Sequence, residues 1–253
     1  MANIDSFFSL QNTVQKTSNT GLEQPKSYLD AIAAFARTTY KSLYVIDYKV
    51  KGFEYVSDNP LFLCGHTAEE VQKMGYAFYL NYVPEQDLKL LLKINSVGNN
   101  FYDKLPVKER KAYTISYDFQ LKTSKNKQIL IHQKLTPLFL TEKGKIWKAL
   151  CVVSLSSQKH SGNVSIHKQK SEKFFKYSLK TNCWKTESKL KLNARQREIL
   201  YYSIRSYSID EIAAIICISP DTVKFHRKKL FRKLNVSTIS EAISYATVNG
   251  LFP

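Results

Sequence analysis

The chain has 253 residues, 43% of them hydrophobic, which is enough to bury a core and suggests one or two domains. Its formal charge of +17 is unevenly spread: residues 1–155 carry 20 Lys and Arg against 14 Asp and Glu, net +6, while residues 156–253 carry 18 against 7, net +11. That gradient favours a polyanion partner for the C-terminal part, and Cys64, Cys151, Cys183 and Cys217 lack the close spacing of a zinc site or a disulfide framework.

Residues 1–24 are polar with scattered apolar positions and are expected to be poorly ordered. From 27 to 39 the run SYLDAIAAFARTT places Leu29, Ile32, Ala33, Phe35 and Ala36 at helical spacing, a helix leading into a first strand. Short strand patterns follow at 42–48 and 53–58. Between 59 and 95 the pattern turns helical, with Thr67 and Glu70 spaced as a capping box and Pro84, Glu85 and Asp87 suited to a first helical turn. Three longer strands are predicted at 113–122, 128–140 and 146–156, joined by short polar segments, the second containing Gly144 for a left-handed turn. Pro137 inside the middle one calls for an edge position or a bulge. The segment 157–191 is a connector rich in Lys and Ser whose two apolar pieces, 164–166 and 174–179, suit a small hairpin continuing the sheet. Trp184 near its end should pack against a domain.

Four helices close the chain. Asn193 with Gln196 caps the first, Ser208 with Glu211 the second, Ser219 with Pro220 the third, and Thr238 with Glu241 the fourth. Only a few residues separate the second from the third, the spacing of a helix-turn-helix. Along TVKFHRKKLFRKL at 222–234, Lys224, Phe225, Lys228 and Arg232 point one way with Asp221, while Val223, Leu230 and Leu234 point the other.

Residues 42–156 resemble a PAS domain, carried mainly by FEYVSDNPLFLCGHTAEEV at 53–71 and by the three long strands. Residues 192–246 resemble the LuxR-type DNA-binding domain of bacterial transcription regulators, carried by LNARQREIL at 192–200, SIDEIAAIICISPDTVKFHRKKLFRKLNV at 208–236 and SEAISYA at 240–246. By that resemblance Glu198 and Glu211 hold customary acidic positions, and Thr222, Val223, Lys224 and His226 the recognition-helix signature. Three departures stand out: Ser206 and Asn235 replace helix-ending glycines, and Ile239 stands where an arginine is common. The resemblances imply an α+β protein: a PAS-like five-stranded antiparallel sheet with helices on one side over 25–156, the connector 157–191, and an all-α four-helix LuxR-type domain over 192–253.

The expected function is that of a sequence-specific transcriptional regulator binding double-stranded DNA as a homodimer, with a small molecule or protein signalling at the PAS-like domain. Base contacts fall to Lys224, Phe225 and Lys228, although Phe225 also suits packing against a second domain. Phosphate contacts fall to Ser219, Thr222, Arg227, Lys229, Arg232 and Lys233. The helix-turn-helix core is Ile212, Ala213, Ile216, Val223, Leu230 and Leu234. Ile239, Ile243 and Ala246 are dimer-face candidates and are equally placed to be ordinary core. His226 should turn toward the apolar side as a positioning group.

The aromatics of the sensor half, Phe53, Tyr55, Phe62, Phe78, Tyr79, Tyr82, Tyr113, Tyr117 and Phe119, suit a solid core somewhat better than a ligand cavity. Cys64 lies outside a flavin-photoreceptor context, and His66 and His132 are poor candidates for haem, so no cofactor or metal is expected. An enzyme is disfavoured: no Gly-rich phosphate loop, zinc motif or nucleophile elbow occurs, and nothing in the sequence pairs Glu54, Asp58 or Asp118 with a base. The remaining alternative is a protein-interaction module whose basic C-terminal part binds acidic partners. The chain lacks a signal-peptide pattern and any apolar run near about 18 residues, so it is expected to be cytoplasmic without a membrane partner.

Overall fold

The computed structural model describes residues 3–4, 27–123, 125 and 127–251. The expectation of disorder at 1–24 therefore falls almost entirely outside the described residues. The chain divides into two compact units, residues 1–188 and 189–253.

The first unit is built on one antiparallel sheet. A leading helix α1 (Ser27–Arg37) precedes β1 (Ser42–Asp47) and β2 (Gly52–Val56). Three helices follow, α2 (Ala68–Met74), α3 (Ala77–Tyr82) and α4 (Glu85–Asp103), then a 3-10 turn over Val107–Ala112. The long strands are β3 (Tyr113–Lys122), β4 (Gln128–Leu140) and β5 (Ile146–Leu155). The first five strands run in the order β2-β1-β5-β4-β3, the PAS-like sheet expected from 42–156.

The sheet does not stop there. It has eight strands, not five, because β6 (Gly162–Lys168) pairs with β3 and is followed by β7 (Lys173–Ser178) and β8 (Cys183–Ser188). The connector thus supplies three strands where a hairpin was expected. Trp184 is packed as anticipated, its ring 5.0 Å from Tyr177 and 5.2 Å from Phe101 on α4.

Alternation along the strands sorts the faces. Tyr44 and Ile46 of β1, Ile115, Tyr117 and Phe119 of β3, and Cys151 and Val153 of β5 point into one apolar core shared with α2, α3 and α4. β1 is buried at every position because Leu43 and Val45, on its other face, are also covered. α1 packs against β1, and its Tyr28 reaches Glu54 on β2 and sits edge-on to Phe139 of β4. One helix therefore lies apart from the other three, against the expectation of helices on a single side.

Local chemistry accounts for the joints. Thr67 and Glu70 form the reciprocal capping box that starts α2. Pro137 pairs with Ala149 of β5 and the register shifts immediately after it, as the bulge reading requires, while the ladder to β3 has already ended at Leu135, which leaves Pro137 on a locally unpaired edge of β4. Gly144 takes φ +75 in the β4–β5 turn, where a Cβ would come within 2.6 Å of Val107, and its carbonyl accepts from the buried Arg110 guanidinium at 2.6 Å.

The second unit holds α5 (Ala194–Ile204), α6 (Ile209–Ile215), α7 (Pro220–Leu234) and α8 (Ile239–Asn249). Capping boxes at Asn193/Gln196 and Ser208/Glu211 open α5 and α6, and Ser219 with Pro220 opens α7. Thr238 caps α8 through the Glu241 amide, while the Glu241 carboxylate reaches back to the Ser237 amide.

Candidate nucleic-acid interface and sensor cavity

In the second unit, Ile199, Ile212, Ala213 and Val223 form one buried cluster, with Ile216 half-buried beside it. Leu192, Leu200, Leu230, Leu234, Ala242 and Ala246 form another. Burying Val223, Leu230 and Leu234 stabilises α7 by about 1.5–3 kcal/mol apiece, which fixes the rotation of the helix. The turn between α6 and α7 is closed by Cys217 at φ +55, with the Ile218 amide donating to the Ala213 carbonyl at 3.0 Å.

With that rotation set, Asp221, Lys224, Phe225, Lys228, Lys229, Arg232 and Lys233 are exposed. Lys224 pairs with Asp221 at 3.0 Å, and this hydrogen bond raises its pKa. Both partners are mostly exposed, so the pair constrains the lysine little. Phe225 is 53% exposed, with the Lys229 ammonium 4.3 Å from its ring centre and the His226 ring edge-on at 5.6 Å. His226 is half-buried, and its Nδ1 is buried without a hydrogen-bond partner.

The other predicted residues are placed less uniformly. Arg227 is half-buried, lying 5.8 Å from the Phe231 ring centre. The Lys233 ammonium donates to the Lys191 carbonyl, tying the end of α7 to the segment that leads into α5. Ser219 and Thr222 share a hydroxyl hydrogen bond at 2.8 Å, and the Thr222 amide already donates to Ser219 Oγ. Ile239 and Ile243 are half-buried at the edge of their cluster, whereas Ala246 is fully buried. Ala246 has no surface left to offer a partner, so its dimer-face assignment gives way to the core reading.

Both departures from glycine take the left-handed backbone: Ser206 has φ +62 and Asn235 φ +54. Asn235 closes α7 with its amide on the Arg232 and Phe231 carbonyls.

The first unit contains a small, partly open cleft of about 60 Å³. Tyr48, Tyr76, Tyr79, Tyr102 and Tyr117 line it with Asn95 and Asn99 of α4 and a set of aliphatic residues. Phe53, Phe62, Phe78 and Phe119 are solid core, and Tyr79 and Tyr117 belong to the same core while also lining the cleft. Gly98 lets α4 approach β3, since a Cβ there would stand 3.0 Å from Ile115 Cδ1.

Sequence reasoning missed Gln133. It is 1% exposed, accepts from Tyr44 Oη at 2.7 Å and donates to Tyr117 Oη at 2.7 Å, while Tyr44 and Tyr79 share a 2.5 Å bond. A single buried amide therefore orients Tyr117 directly and Tyr79 through Tyr44. Its signal was a polar residue at an inward position between Ile131 and Leu135. Burial pushes the pKa values of Tyr44, Tyr48, Tyr76, Tyr79, Tyr102 and Tyr117 well up. No charged side chain is among the described residues lining the cleft.

The acidic strand residues do find partners. Glu54 pairs with Lys148 at 2.7 Å, and Asp118 faces His132 across β3 and β4 at 2.9 Å. Ser156 donates to that same Asp118 oxygen rather than to the imidazole, so the trio lacks a nucleophile-to-base bond. Burial pushes Cys64 up to about 12, far from a reactive thiolate. Among the described residues, no group of three or more His, Cys, Asp or Glu could hold a metal, and no helix is long and apolar enough to cross a membrane.

The chain joins a helix-flanked antiparallel sheet to an all-α unit that contains a helix-turn-helix, and the second of these is similar to LuxR-type regulators. Residues 190–246 match the family model described as bacterial regulatory proteins, luxR family. Among similar proteins, the quorum-sensing regulator RhlR of Pseudomonas aeruginosa is 40% identical over 60 residues, 24% of this chain and 25% of that one. The regulatory protein SdiA of Escherichia coli is 34% identical over 62 residues, 24% of this chain and 26% of that one. The chain matches only about a quarter of the length of these curated relatives. A Vibrio cholera VqmA–ligand–DNA complex aligns over 88% of each chain at 17% identity, with a TM-score of 0.33.

Proposed function

We propose that the protein is a transcriptional regulator that binds double-stranded DNA as a homodimer and answers to a small molecule held in the tyrosine-lined cleft. The observation that carries this reading is α7: packing locks its apolar stripe inward, leaving Lys224, Phe225 and Lys228 on an outward face with a capped N-terminus. Lys224 and Lys228 are assigned to base edges and Phe225 to a thymine methyl or sugar. Ser219, Thr222, Arg227, Lys229, Arg232 and Lys233 are assigned to phosphates, and Ile239 and Ile243 to the dimer face. The cleft has only neutral polar groups, so its ligand is uncharged: an ion would lose hydration without finding a counter-charge.

The test is selection of bound duplexes from a random library. Paired half-sites about one helical turn apart are expected. On the selected site, K228A and K224A should each weaken binding about 5- to 150-fold more than on a scrambled duplex. Recovery of unenriched sequence, or equal losses on both duplexes, would remove the base-reading role.

A further inference from the structure

The excess charge of the C-terminal part is not where the helix-turn-helix is. Residues 156–191 hold nine Lys against two Glu, net +7, whereas residues 192–253 hold nine Lys and Arg against five acids, net +4. Most of that +7 falls on β6–β8 and their turns. Alternation divides this extension: Phe175, Tyr177 and Trp184 pack inward against the core, so Phe174, Lys176 and Lys185 lie on the outward face.

On that face Lys176 and Lys185 are directly paired across β7 and β8, and both are exposed. Like charges in such a position repel at a Cβ separation of about 5 Å. Glu187 is within 4.0 Å of Lys176, at the limit of an ion pair. Beside them His167 stacks on Phe174, rings 4.8 Å apart and 11° from parallel, and Ser165 bridges His167 to Ser116. The extension is a cation-bearing sheet face on which the two facing lysines repel each other. Charge complementarity, and the direct continuation of β8 into the unit that begins at Lys189, identify the occupant.

We infer that the outward face of β6–β8, through Lys176 and Lys185, is a second DNA contact, binding the phosphate backbone of a duplex without reading bases. The inference rests on the proposed DNA-binding function. Each phosphate contact adds about 0.9 to the slope of log affinity against log salt. Removing two should lower that slope by about 1.8, so that between 50 and 200 mM salt the wild-type affinity falls about 12-fold more than the variant's.

The experiment measures anisotropy of the full-length protein on the selected site with long flanks, comparing wild type, K176A/K185A and K228A over that salt range. The expected result for K176A/K185A is the reduced slope, an unchanged ratio of specific to scrambled affinity, and a melting temperature no lower than wild type. A slope equal to wild type would overturn the inference while specific binding, and its loss in K228A, upholds the proposed function. A wild-type protein that binds no duplex would overturn both. A lowered slope accompanied by a lowered melting temperature would assign the lysines to the fold and overturn the contact. Capture by anionic phospholipid vesicles, lost in K176A/K185A with the DNA slope unmoved, would overturn it in favour of a membrane surface.

Discussion

Phe225→Ala separates a residue that meets DNA from one that only decorates its helix. The ring is 53% exposed, with Lys229 above it and His226 at its edge. In the free protein, truncation loses one exposed cation–aromatic contact and part of a half-buried ring, a cost of about 1 kcal/mol. In the complex the exposed half is what counts. A Phe presents about 200 Å², so roughly 105 Å² remains to be covered, worth about 2.6 kcal/mol at about 25 cal/mol per Å² if coverage were complete. Half coverage gives about 1.3 kcal/mol, near tenfold in affinity. F225A should therefore bind the selected duplex between about 10- and 80-fold more weakly, with a scrambled duplex affected far less and the salt slope unchanged. Anisotropy titrations with a parallel thermal melt measure all three. If F225A binds the selected site like wild type, the ring does not meet DNA; if a melt shift accounts for the whole loss, it is a packing residue.

Ser206→Gly should raise the melting temperature of the helix-turn-helix unit, because glycine relieves a left-handed backbone cost of about 1–2 kcal/mol and adds back only about 0.4–1 in unfolded-state entropy. Calorimetry of the full chain should show a gain of a few degrees there, and a smaller one for Asn235→Gly, since Asn tolerates that conformation. The cleft tyrosines give a pH prediction. Their folded pKa values are raised, so the stability they contribute is full below the ordinary tyrosine pKa near 10 and falls as pH climbs above it, where only the unfolded chain releases protons. The first unit should unfold cooperatively in alkali, its phenolate absorbance rising with loss of near-ultraviolet dichroism; phenolate formation well before unfolding would contradict their burial. Ile243→Glu should abolish dimerisation on DNA in sedimentation while leaving a folded monomer, because Ile243 is half-buried at the rim of its cluster. Dimers that persist would move the interface elsewhere.

The long strands were legible because β3 alternates polar and apolar residues over its length, and β4 and β5 are long apolar-rich runs, each bounded by polar turns. The caps were legible because Thr67/Glu70, Asn193/Gln196 and Ser208/Glu211 are local chemistry three residues apart. β8 was not, since a six-residue strand with most of its side chains in solvent carries Lys185, Thr186, Glu187 and Ser188 where a buried strand would carry apolar residues. The pairing of Asp118 with His132 depends on register, which no spacing along the chain reveals. The same holds for the cleft: Tyr79 and Tyr117 are as apolar in pattern as Phe78 and Phe119, and only the tertiary arrangement separates those facing space from those facing each other. Of the α7 face, the rotation could be read from periodicity, but the grip of Lys191 on Lys233 and the burial of Ala246 could not.

The ladder from β6 onto β3 sets where this protein can be cut. A sensor fragment ended at residue 156, the boundary suggested by the PAS likeness, would strip β3 of its β6 partner and uncover the side chains of Phe101 and Tyr113 that Phe175, Trp184 and Lys168 now cover. It would present an unpaired strand edge to any neighbouring copy, a template for aggregation. A fragment ended at Ser188 keeps all eight strands and closes the edge with a short, charged β8.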